Sequence, residues 1–402
     1  MQRHQHLRGH GCVQRTGQTW STPNIVKLKA LFGAPNNPPA LIFGGGYDPA
    51  EDTVPPGART MGRAVFVVNG DDASTNNALL KSFGAGQGNV AGDFRTANML
   101  SAYSIPSDVT AINTDFDSQN YVDRLYVGDL GGNVWRFDVD DAAPGNWKGE
   151  RLADLSNGAG EKRKFFFPPA VAPQNHPFNF HGVYIGSGDK EHPLLTGSTT
   201  PATTDDRMFM LMDDPSLNSG GGTPDTGGPS ALPTPITLGT LLDIANIATT
   251  GADATSLIST ANSLKGRQGW SRRLENGEKV VNATTVFKLA ASVSRLRFGT
   301  YAPLVQLNAC TPPGEGRLNE IDSLTGDLLA LNGAAAGAQR WYTGFLSRGY
   351  MSSTQLLILP SGGMGSPKII YQFNCADANC QGTQIGTLGA PTKIYWYLEP
   401  EQ

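Results

Sequence analysis

An all-β fold follows from three observations. Glycine and proline are abundant, at 49 and 27 of 402 residues, while only 16% of residues are charged. Many turn formers with few charges suit a chain of short strands joined by tight turns. Short apolar runs, mostly β-branched or aromatic and bounded by Gly, Asp or Pro, recur at 26–32, 40–43, 64–68, 125–127, 134–139, 182–185 and 208–212, which is the signature of strands. Finally, the runs belong to a loose repeat: a strand, a Gly/Asp turn, and a second strand ending near an Asp or another polar residue.

The repeat can be followed along the chain. Its first copy is Leu41-Ile-Phe-Gly-Gly-Gly-Tyr-Asp48 with Arg63-Ala-Val-Phe-Val-Val-Asn69. The second, Arg124-Leu-Tyr-Val-Gly-Asp-Leu-Gly-Gly-Asn-Val-Trp-Arg-Phe-Asp138, is the most compact. Next come Gly182-Val-Tyr-Ile-Gly-Ser-Gly-Asp189 with 206–213, then 293–301 with 317–326, and last 368–373 with 393–397. Small sheets that repeat and stack on their neighbours predict a β-propeller. About five blades are visible, standing alone or as part of a larger ring. The copies lie further apart than a minimal blade requires, so long loops separate the strands. A Gly/Pro/Ser/Thr-rich stretch at 216–235 reads as a flexible loop. The Ala/Leu/Ile-rich window 238–264 that follows has near-helical spacing. Together they predict a loop-plus-helix insertion at about 214–265 within a propeller domain of 18–402. Residues 1–17 form a polar segment expected to be disordered.

Composition excludes some functions. A formal net charge of −4 gives no basic excess for a nucleic-acid partner. No run of 18 apolar residues is present to span a membrane. Residues 1–14 are polar and rich in His and Arg, without the apolar stretch of a signal peptide. The protein is therefore expected to be cytoplasmic, or to be exported by a signal that lies elsewhere on a longer chain. Of Cys12, Cys310, Cys375 and Cys380, the pair Cys375 and Cys380 could close a small loop as a disulfide in an oxidising compartment. A metal pair is the alternative, with no CxxC partner or nearby His in its favour. Cys12 and Cys310 have no evident partner.

The segment with the most chemistry is Asp115-Phe-Asp117-Ser-Gln119-Asn120-Tyr121-Val122-Asp123. Oxygen-bearing side chains fall at its positions 1, 3, 5 and 9, so alternate residues of a tight loop can converge on one centre. Calcium is a hard cation that takes six to eight oxygen ligands, backbone carbonyls included. Asp115, Asp117 and Asp123 would supply carboxylates, Gln119 an amide oxygen and Tyr121 a backbone carbonyl. The sixth position needs a positive φ, which Asn tolerates and Gly favours. A solvated acidic turn is the plainer reading. With Gln at the fifth position and no Gly at the sixth, weak affinity is expected. The loop runs directly into the strand beginning at Arg124, so a bound metal would brace a blade edge.

Other candidates carry less. Gly44-Gly-Gly-Tyr-Asp48 leads into no helical pattern, so a tight turn is expected there and not a phosphate cradle. Gly186-Ser-Gly-Asp-Lys-Glu-His192 holds Ser, Asp and His in sequence but lacks the Gly-x-Ser-x-Gly elbow, so hydrolase chemistry is not expected. His176, His181 and His192 read as turn or hydrogen-bonding residues. Trp135, Trp147 and Trp270 are expected to pack between blades.

Thr19-Trp-Ser-Thr-Pro23, residues 42–48, 123–138 and 184–189, and Glu275-Asn-Gly-Glu-Lys-Val-Val281 stand in the order found in PilC/PilY-type proteins of type IV pili. The chain resembles the C-terminal propeller of that family from about Gln18 to about Asp327, most specifically over 123–138. The resemblance implies an exported protein, located at the pilus tip, the cell surface or the outer membrane. It implies a calcium-responsive binding and scaffolding role in pilus assembly, twitching motility and adhesion, and no enzymatic activity. Minor pilins and host or abiotic surface ligands would be its partners. The family's large N-terminal region, often with a von Willebrand A-like module, is not in this sequence. Residues matching the family's calcium motif are Asp115, Asp117, Gln119, Tyr121 and Asp123. The usual family loop has an acid followed by Gly where this chain has Gln119-Asn120. Two other readings are a quinoprotein-like propeller enzyme, for which no cofactor pocket can be assigned, and a truncated structural fragment without activity of its own.

Overall fold

The computed structural model describes residues 16–34, 37–52, 60–71, 79–84, 93–94, 103–114, 119–156, 163–174, 179–193, 206–213, 235–244, 264, 266–275, 277–289, 293–303, 314–326, 344–348, 354–359, 368–373 and 383–387. It is all-β and propeller-like, with no α-helix among the described residues. Among the described residues, five sheets follow one another along the chain, each mainly antiparallel. The central pair of each of the first four comes from one copy of the sequence repeat, because two strands joined through a Gly/Asp turn pair with one another before anything else can; of the fifth copy, 368–373 is a strand and 393–397 lies outside the described residues.

By contacts the chain forms two compact units, Met1–Pro169 with Asp213–Gly239, and Ala170–Met212 with Thr240–Gln402. The first unit holds two sheets. Sheet one is β1 (Asn24–Val26), β2 (Ala40–Gly44), β3 (Ala64–Asn69), β4 (Leu79–Gly84) and β5 (Asp93–Phe94), in that order. Sheet two is β6 (Thr110–Ile112), β7 (Arg124–Gly128), β8 (Asn133–Asp138) and β9 (Lys148–Asp154), with β13 (Ile236–Thr237) added in parallel along β9. Ala40, Ile42 and Gly44 of β2 are buried while Leu41 and Phe43 are half-buried, the period-two pattern of a strand with one face to the core. The inward residues of both sheets make one core. Val26, Ile42, Val65, Val67 and Phe83 meet Leu125, Val127, Trp135, Phe137 and Trp147, and the rings of Phe83 and Phe137 lie 4.4 Å apart.

The turn between β7 and β8 shows how the repeat phrase encodes its own geometry. Gly132 has φ +87°, which a residue with a Cβ adopts at a cost. A Cβ on Gly131 would lie 1.9 Å from the Tyr103 ring. Asp129, fully buried, accepts hydrogen bonds from the Gly131 and Asn133 amides, the Asn133 side chain, the Trp135 indole and the Tyr103 amide. These five donors explain how a carboxyl with no exposed surface is tolerated in the core.

In the second unit, sheet three comprises β10 (Ala170–Gln174), β11 (Phe180–Gly186), β12 (Arg207–Asp213, whose last residue belongs to the first unit), β15 (Gly269–Arg273) and β14 (Leu242–Asp243). Every residue of β12 is buried, as expected where a continuous apolar run such as Met-Phe-Met-Leu-Met is covered on both faces. Sheet four is β16 (Lys279–Val280), β18 (Val293–Pro303), β19 (Gly314–Asp322) and β20 (Gly344–Arg348), with β17 (Thr285–Leu289) also on β18. Tyr184, Met208, Met210, Met212 and Trp270 of sheet three share a core with Leu296, Phe298 and Ile321 of sheet four. Sheet five is β21 (Thr354–Leu359), β22 (Lys368–Phe373) and β23 (Thr383–Thr387).

Two expectations need correction. The run 26–32 is not one strand: β1 ends at Val26, and Lys29–Leu31 is a 3-10 turn. The helix expected in the insertion is absent over its described part. Ile236–Thr237 is a strand, Leu238–Thr240 a 3-10 turn, and Leu242–Asp243 a strand in parallel with β15. Extended pairing at two sheet edges buries Ile236, Leu241 and Ile244, and a helix could not satisfy those edges. The remainder of that window, 245–263, lies outside the described residues, as do 1–15 and Cys12, Cys310, Cys375 and Cys380.

Candidate functional site

The acidic loop connects β6 to β7, whose last antiparallel pair is Ile112 with Arg124. Asp115 and Asp117 lie outside the described residues; Gln119, Tyr121 and Asp123 lie within them. Asp123 closes the loop. One of its carboxylate oxygens accepts the Thr114 amide at 2.8 Å and the Thr114 hydroxyl at 2.6 Å, so residues on either side of the loop are tied together. Its own amide donates to the Ile112 carbonyl, and its carbonyl accepts the Val139 amide. The carboxylate is thus held at the base of the loop.

The middle of the loop makes the turn that a calcium site needs at its sixth position. Asn120 has φ +60°, one of only two non-glycine residues with positive φ among the described ones. Gln119 and Asn120 are exposed. Tyr121 packs edge-on against Phe32, with ring centroids 6.0 Å apart, and the next amide, Val122, donates to the Lys27 carbonyl. Of the expected donors, the described part of the loop holds the Asp123 carboxylate, the Gln119 amide oxygen and the Tyr121 carbonyl, all oxygen, the donor type a hard cation such as calcium takes. Substituting Asn120→Gly should leave the turn intact and stabilise it slightly, whereas Asn120→Ala should cost about 1 kcal/mol through left-handed strain. Thermal melts of the two variants check this.

Behind the loop lies a charge cluster that the sequence reading passed over. Arg124 and Tyr126 of β7 pair in register with Asp138 and Arg136 of β8. Alternation along paired strands puts all four on one face. Arg124 Nε donates to Asp138 at 2.9 Å. Arg136 reaches Asp213 at 2.6 Å, Glu150 at 2.7 Å and Asp138 at 3.2 Å. The Tyr126 hydroxyl donates to Asp213, and Arg124 lies 3.4 Å from it. Burial works against the Asp213 carboxylate, but Arg136 and Arg124 beside it hold its pKa below the ordinary value. Burial likewise raises Glu150, with Arg136 opposing. The available signal was the alternation of Arg124, Tyr126, Arg136 and Asp138; nothing local pointed to Asp213, far along the chain.

The remaining candidates separate. The Ser187 hydroxyl donates to Asp206 at 2.8 Å and accepts the Arg207 amide, while the His192 ring sits 3.3 Å from Asp189. Ser187 is thus engaged with Asp206 and Arg207, and His192 with Asp189. Trp135, Trp147 and Trp270 are buried in the two cores, as expected of packing residues. His176 lies outside the described residues. Among the described residues, no three His, Cys, Asp or Glu side chains gather as a metal site, and no helix is long and apolar enough to cross a membrane.

No family model matches the chain. Over 132 residues, 33% of its length, it is 32% identical to a type IV pilus biogenesis factor PilY1 homolog of Xylella fastidiosa, and the match spans 7% of that protein. Its structure is similar to the crystal structure of the Pseudomonas aeruginosa PilY1 C-terminal domain, with a TM-score of 0.52 and 14% identity, covering 89% of this chain and 71% of that one. The chain is thus PilY1-like in sequence over a third of its length and has the fold of a PilY1 C-terminal domain over most of it.

Proposed function

We propose that this chain is the propeller-like C-terminal part of a type IV pilus biogenesis factor, and that it binds and scaffolds at the pilus tip under the control of calcium. The observation that carries the reading is the β6–β7 loop. Its acids sit at alternate positions, Asn120 turns at positive φ, and Asp123 is already fixed on Thr114. Minor pilins and surface ligands are the partners this role calls for, and it places the protein outside the cell, supporting twitching and attachment.

The physics of the loop suits that setting. Without a cation, Asp115, Asp117 and Asp123 repel one another within nine residues. A bound calcium ion offsets that repulsion and fixes the entrance to β7. Calcium sites of extracellular modules bind at about 10⁻⁴–10⁻³ M. An affinity in that range leaves the loop empty inside a cell and filled outside. A ligand that binds only the folded state at about 100 times its Kd stabilises that state by about 2.7 kcal/mol.

A strain deleted for the gene is expected to lose surface pili and twitching, and the wild-type gene to restore both. Asp117→Asn should restore pili with altered calcium dependence of attachment. Asp117 is a better position to alter than Asp123, whose bonds to Thr114 also hold the hairpin. A deletion strain that makes pili and twitches normally would contradict the role.

A further inference from the structure

Residues 103–105 fasten the two sheets of the first unit together. The Gly46 amide donates to the Ile105 carbonyl and the Ile105 amide to the Gly62 carbonyl, which ties the segment to sheet one. The Leu130 amide donates to the Ser104 carbonyl, and the Tyr103 amide to Asp129, which ties it to the β7–β8 turn of sheet two. One further bond group remains. The Ser104 amide points at both carboxylate oxygens of Glu51, at 3.1 Å each, and the Ser104 hydroxyl donates to one of them at 2.7 Å.

Glu51 lies on the short turn Pro49–Asp52 and is 1% exposed. Among the described residues no Lys or Arg pairs with it. The charged groups facing it are two further carboxylates, Asp48 on its own side and Asp129 on the β7–β8 turn. Its neighbour Asp52 is occupied by Lys164 at 3.0 Å and by the Tyr47 hydroxyl. A buried carboxyl among acids, with no cation beside it among the described residues, is easier to hold neutral than charged.

We propose that Glu51 is a proton-operated latch on residues 103–105: protonated, it holds the segment that joins the two sheets, and ionised, it loosens that join. Both states can be satisfied locally. In the neutral form the carboxyl O–H donates to Ser104 Oγ; in the ionised form the hydroxyl turns and donates back. What differs is the cost of a buried charge beside Asp129 and Asp48. Burial is the main cause raising Glu51, to about 7, with the Ser104 bonds opposing. A carboxyl raised in the folded state contributes stability at acid pH, and that contribution is lost as pH rises toward 7 and is gone above it. The acidity of its surroundings would then set how firmly the first unit is closed.

Amide hydrogen exchange tests the latch. Protection of the Ser104, Ile105 and Leu130 amides, corrected for intrinsic exchange, should fall on the order of tenfold between pH 5.5 and 8 in the wild-type chain, as the raised pKa requires. In Glu51→Gln it should be flat. Equal pH dependence in both chains, or none in the wild type, overturns the proposal. Should Glu51→Gln fail to fold, Ser104→Ala decides. Losing the hydroxyl that favours the ionised form must move the midpoint to higher pH, and an unmoved midpoint rejects the latch.

Discussion

Asp213→Ala is expected to destabilise the protein by about 3–5 kcal/mol, the range for removing one partner of a buried ion pair. The Asp213 side chain has no exposed surface and takes Arg136 at 2.6 Å, Arg124 at 3.4 Å and the Tyr126 hydroxyl. Its removal leaves two guanidinium groups and a phenol competing for Asp138 and Glu150. Arg136 is only 9% exposed at its side chain, so water cannot replace the lost carboxylate. Asp213→Asn should cost less, because the amide oxygen still accepts one bond. The two variants also differ with pH. Asp213 has a lowered pKa in the folded state, so its contribution is present above the unfolded carboxylate value and is lost as pH falls through the folded one. Urea denaturation at pH 7 and pH 3 should show the wild type and Asp213→Ala far apart at the first and the gap narrower at the second.

Glu320→Ala should have an effect of similar size in sheet four, again about 3–5 kcal/mol. Glu320 and Arg297 both have fully buried side chains and meet through a two-pronged contact, with Arg297 Nε at 2.5 Å. Arg295 donates to the other oxygen. Arg297 also lies over the Phe287 ring, 5.1 Å from its centroid, a contact worth about 2 kcal/mol at most when desolvated, which does not replace the lost carboxylate. Replacing both ends, Arg297→Met with Glu320→Leu, should recover much of the loss, since a buried pair returns little more than its desolvation cost. By contrast Lys29→Ala, which breaks an ion pair about half exposed at both ends, should change stability by about 0–1 kcal/mol.

The strands were legible in the sequence because their signal is local. The short apolar runs 40–43 and 208–212, each bounded by turn residues, are carried by adjacent residues alone; that 40–44 alternates in burial while 208–212 is buried throughout appears only in the structure. The repeat phrases were legible for the same reason, since Asp129, Gly131, Gly132 and Asn133 encode one turn within five residues. The charge clusters were not: Asp213 comes 77 residues after Arg136, and no pattern within a strand announces a partner at that distance. The window 238–264 misled because Ala, Leu and Ile at near-helical spacing also suit short edge strands, and the open edge of β15 decided between the two over its described part. In the acidic loop, donor types and spacing could be read directly, and so could the need for a left-handed residue, which Asn120 meets at φ +60°. That Asp123 would be pinned by Thr114 could not be read, because it depends on the register of β6 against β7.

Calcium calorimetry on the purified chain, with a thermal melt at each calcium concentration, tests the central claim most directly. Saturable binding of one ion at about 10⁻⁴–10⁻³ M, lost in Asp117→Asn and accompanied by a calcium-dependent rise in Tm in the wild type alone, is the predicted result. No heat and no shift in Tm up to millimolar calcium would contradict it: the loop between β6 and β7 would then be an acidic turn, and calcium control would fall away from the proposed role.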